Sequence, residues 1–192
     1  MYSREDAQNA LNDLSDHELK PFDYEFAQSV IFAASAARVS LATAESLTGG
    51  LVAQLLTRVP GASEVFRGGV VAYATEAKSE LLGVDAAVIS RAGVVSADVA
   101  IEMAKGVAQR LHARFGLSTT GVAGPQSQGD RPVGEVHIAI FDAETQSSRV
   151  HSLKFSGSRE EIREQAAIAL FGLFLDILIP LAGLTRPDTP ES

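Results

Sequence analysis

The stretch from Val39 to Gly61 constrains the fold more than any other. An apolar run, Val39-Ser40-Leu41-Ala42, passes into a polar turn, Thr43-Ala44-Glu45-Ser46-Leu47-Thr48-Gly49-Gly50. Leu51, Val52, Leu55, Leu56 and Val59 then recur at helical spacing until Pro60-Gly61 stops the pattern. The order is strand, tight turn, helix. A helix start carries backbone N–H groups without intrahelical partners and a partial positive charge. Two glycines let an anion or a carbonyl oxygen approach those groups, and Ser46 and Thr48 put hydroxyls at the same place. Two readings stand. Either a serine nucleophile lies beside an oxyanion or phosphate cradle, or Ser46 and Thr48 only cap the helix and the glycines only allow close packing.

Strand and helix patterns keep alternating along the chain. Residues 1–20 read as a polar N-terminal arm anchored by Leu11, Leu14 and Leu19, and Pro21 ends it. Phe22 to Ala37 predicts a helix and Val39 to Thr43 the first strand. Val65 to Tyr73 predicts a second strand, with Gly68-Gly69 signalling a bulge or a close backbone approach. Thr75 to Leu82 reads as a short helix and Val88 to Val95 as a connection. Ser96 caps a helix whose apolar face is Val99, Met103, Val107 and Leu111. Leu117 to Pro125 is a strand entering a glycine-rich loop, and the loop continues through the polar segment Gln126 to Arg131. Gly134 to Phe141 and Arg149 to Phe155 alternate as an antiparallel hairpin. Ser156-Gly157-Ser158 caps a last helix from Arg159 to about Ile179, and residues 185–192 read as a disordered tail. Together these predict one domain, residues 21–184. Its fold is a three-layer α/β/α sandwich on a mixed, mostly parallel sheet with one antiparallel member. In such sheets ligands sit beyond the carboxyl ends of the strands. The loops Glu45–Gly50, Tyr73–Lys78 and Thr120–Pro125 would share that edge.

Composition narrows the function. The net charge of −8 and scattered basic residues argue against a nucleic-acid partner. The chain has no cysteine, which excludes disulfides, cysteine-ligated zinc and a thiol nucleophile and fits a cytoplasmic setting. The N-terminus lacks the pattern of a secretory signal. Ala166 to Leu184 is apolar enough to suggest a membrane span, but Asp176 and Pro180 interrupt it, so a buried helix and no membrane partner are expected. That helix is apolar on two sides. It is therefore buried or packs against a second copy, and a homo-oligomer is expected.

Ala44-Glu45-Ser46-Leu47-Thr48-Gly49-Gly50, Val59-Pro60-Gly61-Ala62-Ser63, Phe66 to Tyr73 and Glu76-Ala77-Lys78 resemble the CinA carboxy-terminal domain family in its stand-alone form. So do Gly93-Val94-Val95-Ser96, Thr120 to Pro125 and Pro132-Val133-Gly134. The likeness runs from about Val39 to Leu175. It implies a nicotinamide-nucleotide amidohydrolase of pyridine nucleotide salvage that needs no metal and no cofactor. The implied reaction turns nicotinamide mononucleotide and water into nicotinate mononucleotide and ammonia. By motif, the resemblance assigns catalytic roles to Ser46, Tyr73 and Lys78, and matches Arg159 to an arginine at the start of the last helix. Leu47 stands where many members have cysteine, and the loop after Pro125 departs from the family pattern.

Amide hydrolysis needs an activated oxygen nucleophile and donors for a tetrahedral oxyanion. Ser46 supplies the first, and backbone N–H groups near Thr48, Gly49 and Gly50 are the expected second. His17, His112, His137 and His151 fall outside the motifs and read as surface or packing residues. Lys78 and Tyr73 are then the candidates for the base: a buried lysine can lose its proton near neutral pH, and a phenol can relay a proton. The alternatives are that Tyr73 only ends a strand with its hydroxyl in water and that Lys78 is a solvated helix charge. Glu45 pairs with a cation, orients Ser46 or caps the turn. Thr120, Gly121, Ala123 and Gly124 form either a tight turn or a contact to phosphate or ribose. Arg159 is either a surface charge or a bidentate phosphate ligand. A non-catalytic nucleotide-binding module and a stress- or competence-associated partner protein are the competing functions.

Overall fold

The computed structural model describes residues 3–13 and 24–185. The expected anchors Leu14 and Leu19, the break at Pro21, the helix start at Phe22, His17 and the tail from residue 186 onward lie outside the described residues. The helices are α1 (Arg4–Asp13), α2 (Tyr24–Ala37), α3 (Leu51–Thr57), α4 (Thr75–Leu82), α5 (Ala86–Ala92), α6 (Ala97–Arg110) and α7 (Arg159–Ala182). The strands are β1 (Leu41–Glu45), β2 (Phe66–Val71), β3 (Phe115–Gly121), β4 (Glu135–Asp142) and β5 (Ser147–Lys154). They form one sheet of order β2-β1-β3-β4-β5. β1 pairs parallel with β2 and with β3, while β4 runs antiparallel to β3 and to β5. Only β4 is reversed, so the mixed, mostly parallel sheet is as expected.

Side chains alternate across the strands and build two cores. Leu41, Phe115, Leu117, Val136, Ile138 and Ile140 face α2, α3 and α7. Ala42 and Ala44 face the other way, toward Leu82 of α4 and Val99, Met103 and Val107 of α6. The alanines let α6 lie close to the sheet, and Ser118 donates from β3 to the Ala100 carbonyl of that helix at 2.6 Å. Helices on both faces complete the α/β/α sandwich.

The local signals act as their chemistry dictates. Ser96 accepts from the Val99 amide at the start of α6. Ser158 and Glu161 form a reciprocal capping box at the start of α7. The bulge falls at Arg67, which the register between Leu41–Phe66 and Ala42–Gly68 skips.

Two expectations change, at α5 and at the chain end, and of the two readings of α7 the buried one is seen. The stretch from Val88 to Val95 is not a plain connection, because α5 occupies Ala86–Ala92 behind an Asp85 N-cap. None of its residues is buried, so it shows no apolar stripe to read. The two apolar faces of α7 are covered within the chain, one by β3 and β4 and the other by α2. By length and apolarity α7 would also suit a membrane span, yet much of it lies inside the fold. The chain end is held further than expected. Leu184 is buried, and the Thr185 backbone exchanges two hydrogen bonds with the Gln8 side chain of α1.

Candidate active site

β1 delivers Ser46 to the carboxyl edge of the sheet. The Ser46 amide donates to the Thr119 carbonyl at 3.0 Å, which extends the ladder with β3 one residue past the strand. The chain then turns through Gly49 and Gly50, both in the left-handed region at φ 60 and 99. Beneath this turn lies the buried Glu45. One carboxylate oxygen accepts from Thr48 Oγ1 at 2.8 Å, from the Gly50 amide at 2.9 Å and from the Val52 amide at 3.0 Å. The other accepts from the Ala53 amide at 2.8 Å. Thr48 Oγ1 also lies 2.7 Å from Thr119 Oγ1, and the Thr48 carbonyl accepts from Arg163 of α7 at 2.7 Å.

This arrangement corrects the reading of the turn. The positive end of α3 is already filled by a carboxylate of the chain itself, placed where the helix dipole favours it. Glu45, Thr48, Gly49 and Gly50 therefore hold the turn and do not line the cleft. The Gly50 amide is bound to Glu45 and the Gly49 amide to the Ser46 carbonyl, so neither is available to an oxyanion. The Leu47 amide has no acceptor among the described residues, and Leu47 lines the cleft beside Ser46.

Lys78 reaches Ser46 from α4. The Ala72 amide donates to the Glu45 carbonyl at 2.8 Å, which fixes the exit of β2 against the exit of β1. α4 follows directly and turns Lys78 inward, where it is 1% exposed and Ser46 is 8% exposed. Lys78 Nζ donates to Ser46 Oγ at 3.0 Å and to the Ala72 carbonyl at 2.9 Å. No carboxylate pairs with it among the described residues. Burial disfavours the charged amine and lowers its pKa from 10.5 to about 8. A hydroxyl held against such an amine has the geometry that nucleophilic activation requires.

The cleft above this pair has a cavity volume of about 180 Å³. Ser46, Tyr73, Lys78, Thr120, Gly121, Ala123, Gly124 and Arg159 all line it. Tyr73 does not stand between the lysine and the serine. It is 59% exposed, and its hydroxyl accepts from Arg159 Nη2. Arg159 Nη1 donates to the Gly124 carbonyl at 2.6 Å, so Arg159 ties the loops after β2 and β3 together at the rim. The amides of Ala123 and Gly124 have no acceptor among the described residues. Thr120 Oγ1 donates to the Val94 carbonyl at 3.3 Å.

Sequence reasoning missed Thr75, Val94, Val95, Gln126 and Gln128, which also line the cleft. The two glutamines stand in the polar loop after Pro125, and that position was their one signal. Arg163 was missed because nothing along the chain ties it to a turn 115 residues earlier. His137 bonds to Ser152 and Glu135, and Arg131 bonds to the same Glu135 oxygen. That network braces the loop and leaves His137 outside the cleft.

A three-layer α/β protein with a serine–lysine pair at the parallel-strand edge is the class that fold and site define. The model of the CinA C-terminal domain matches residues 23–178, and the chain belongs to that family. A CinA-like protein of Frankia casuarinae is 49% identical over 149 residues, covering 78% of this chain and 33% of the relative. A CinA-like protein of Acidobacterium capsulatum is 43% identical over 141 residues, covering 73% and 34%. The chain thus spans about a third of the length of the curated relatives it matches. The competence/damage inducible protein CihA of Agrobacterium tumefaciens superposes with a TM-score of 0.76 at 34% identity, covering 86% of this chain and 99% of that one.

Proposed function

We propose that the protein is an amidohydrolase that converts nicotinamide mononucleotide to nicotinate mononucleotide and ammonia. The observation that carries this reading is the 3.0 Å contact between Lys78 Nζ and Ser46 Oγ inside an open cleft. The resemblance of the motifs supports nicotinamide mononucleotide as the substrate, and membership of the family is compatible with it. Neutral Lys78 takes the Ser46 proton as Oγ attacks the carboxamide carbon. The oxyanion that forms accepts from the Leu47 amide, which follows the nucleophile and has no acceptor among the described residues. The protonated Lys78 then delivers its proton to the leaving nitrogen as the C–N bond breaks, and ammonia departs. Water releases the acid from Ser46 by the same steps in reverse. Arg159 and the amides of Ala123 and Gly124 form the phosphate end of the cleft. In this reading the protein works in cytoplasmic pyridine nucleotide salvage.

The test is ammonia release from nicotinamide mononucleotide by the wild type and by Ser46→Ala. Release by the wild type that falls at least about 10³-fold in the variant supports the proposal. Tight nucleotide binding with no ammonia would favour a non-catalytic binding module instead.

A further inference from the structure

A second cavity, also of about 180 Å³, opens at the end of the sheet opposite the cleft. It lies between the end of α2 and the start of β2, and Ser35, Arg38, Ser40, Glu64 and Arg67 line it. Ser40 precedes β1 and Ser46 follows it, so the strand separates the two cavities by about 20 Å.

Two backbone irregularities present arginines here. Arg38 follows α2 at φ 56, in the left-handed region where glycine is the ordinary residue after a helix. Arg67 stands at the bulge of β2 and has no opposite number in β1. Neither guanidinium has a carboxylate or hydrogen-bond partner among the described residues. That is notable in a chain with 24 acidic and 16 basic residues, where a surface arginine finds a carboxylate easily.

The floor adds hydroxyls. Ser35 is 3% exposed, and its Oγ has no hydrogen-bond partner among the described residues. A buried hydroxyl left in that state costs stability unless something else meets it. Ser40 Oγ accepts from the Arg114 amide at 3.0 Å, which leaves its own proton to give. Glu64 is the one carboxylate of the lining, and it is exposed. Two forked cations and two hydroxyls lining one cavity match a tetrahedral oxyanion in charge and in hydrogen-bonding capacity.

We propose that this cavity binds a small phosphoryl anion, as free phosphate or as the end of a phosphomonoester, independently of the cleft. The test is an NMR titration of the full chain at constant ionic strength, with inorganic phosphate in one arm and ribose 5-phosphate in the other. Both arms are repeated with Arg159→Ala, which weakens any contribution from the cleft. The amides of Arg38, Ser40 and Arg67 are expected to shift with both proteins, and a preference for the ester identifies a phosphomonoester as the source. Arg38→Gly and Arg67→Ala are each expected to weaken binding about tenfold. Arg38→Gly suits the left-handed backbone, so its loss of binding is not loss of fold, and thermal unfolding checks this. Absence of these shifts in the wild type would overturn the proposal. So would binding unchanged in the Arg38→Gly/Arg67→Ala double variant, or binding lost only with Arg159→Ala.

Discussion

Lys78 Nζ and Ser46 Oγ meet at 3.0 Å although 32 residues separate them in the chain. Parallel pairing of β1 with β2 brings their exits together, and α4 folds the lysine back over the serine. Among the described residues, that amine's other acceptor is the Ala72 carbonyl. Lys78 is thus a buried amine with no carboxylate partner among the described residues, an arrangement that costs stability and holds its pKa down to about 8.

Lys78→Met is expected to remove ammonia release and raise stability by roughly 1–3 kcal/mol, because an unpaired buried amine is replaced by an apolar chain of similar length. Chemical denaturation measures the second effect. The pH dependence carries the same sign. The pKa of Lys78 is about 8 folded and 10.5 ordinarily, so between those values the unfolded chain holds more protons. Wild-type stability therefore has a contribution that rises with pH through that window, and Lys78→Met lacks it.

Glu45→Ala is expected to destabilise the fold by about 2–4 kcal/mol, since it strands the Gly50, Val52 and Ala53 amides and leaves the Thr48 hydroxyl only its Thr119 partner. A loss of substrate affinity with unchanged unfolding would mean that Glu45 is a ligand residue and not the clamp beneath the turn.

Arg159→Ala is expected to raise KM for nicotinamide mononucleotide about ten- to a hundredfold and to leave the unfolding midpoint in place. The residue is exposed at the rim, where it holds Tyr73 and Gly124. Arg159→Lys keeps the charge but loses the fork, and steady-state kinetics should place it between the two.

Gly116→Ala is expected to cost at least about 2 kcal/mol. A Cβ there would lie 1.9 Å from the Ala104 carbonyl oxygen, so α6 would have to move off β3. Thermal unfolding reads this directly.

Much of the fold was legible because its elements carry their own signals. The period change after Thr43, the serines that cap α6 and α7, and the double glycine at the β2 bulge act locally, and each did what its neighbours dictate. α5 was not legible, since a helix with no buried face leaves no period to detect. The two apolar faces of α7 were visible, but a pattern shows that a face must be covered and not what covers it. The same limit governs the site. The approach of Lys78 to Ser46 and the clamps of Glu45 and Arg163 on one turn depend on strand pairing and helix packing, which no spacing along the chain encodes. The family resemblance supplied Lys78; the geometry then took the Gly50 amide for Glu45 and the Gly49 amide for the Ser46 carbonyl, and left the Leu47 amide without an acceptor among the described residues.

The most direct measurement is the pH profile of kcat/KM for nicotinamide mononucleotide, taken for the wild type and for Lys78→Arg. If Lys78 is the base, the wild-type profile rises with pH and levels off above about 8, as the buried amine loses its proton. Lys78→Arg, which keeps a charge it cannot release, stays low and flat. A wild-type profile that does not change across that range, or a variant that keeps the rise, would contradict the serine–lysine account.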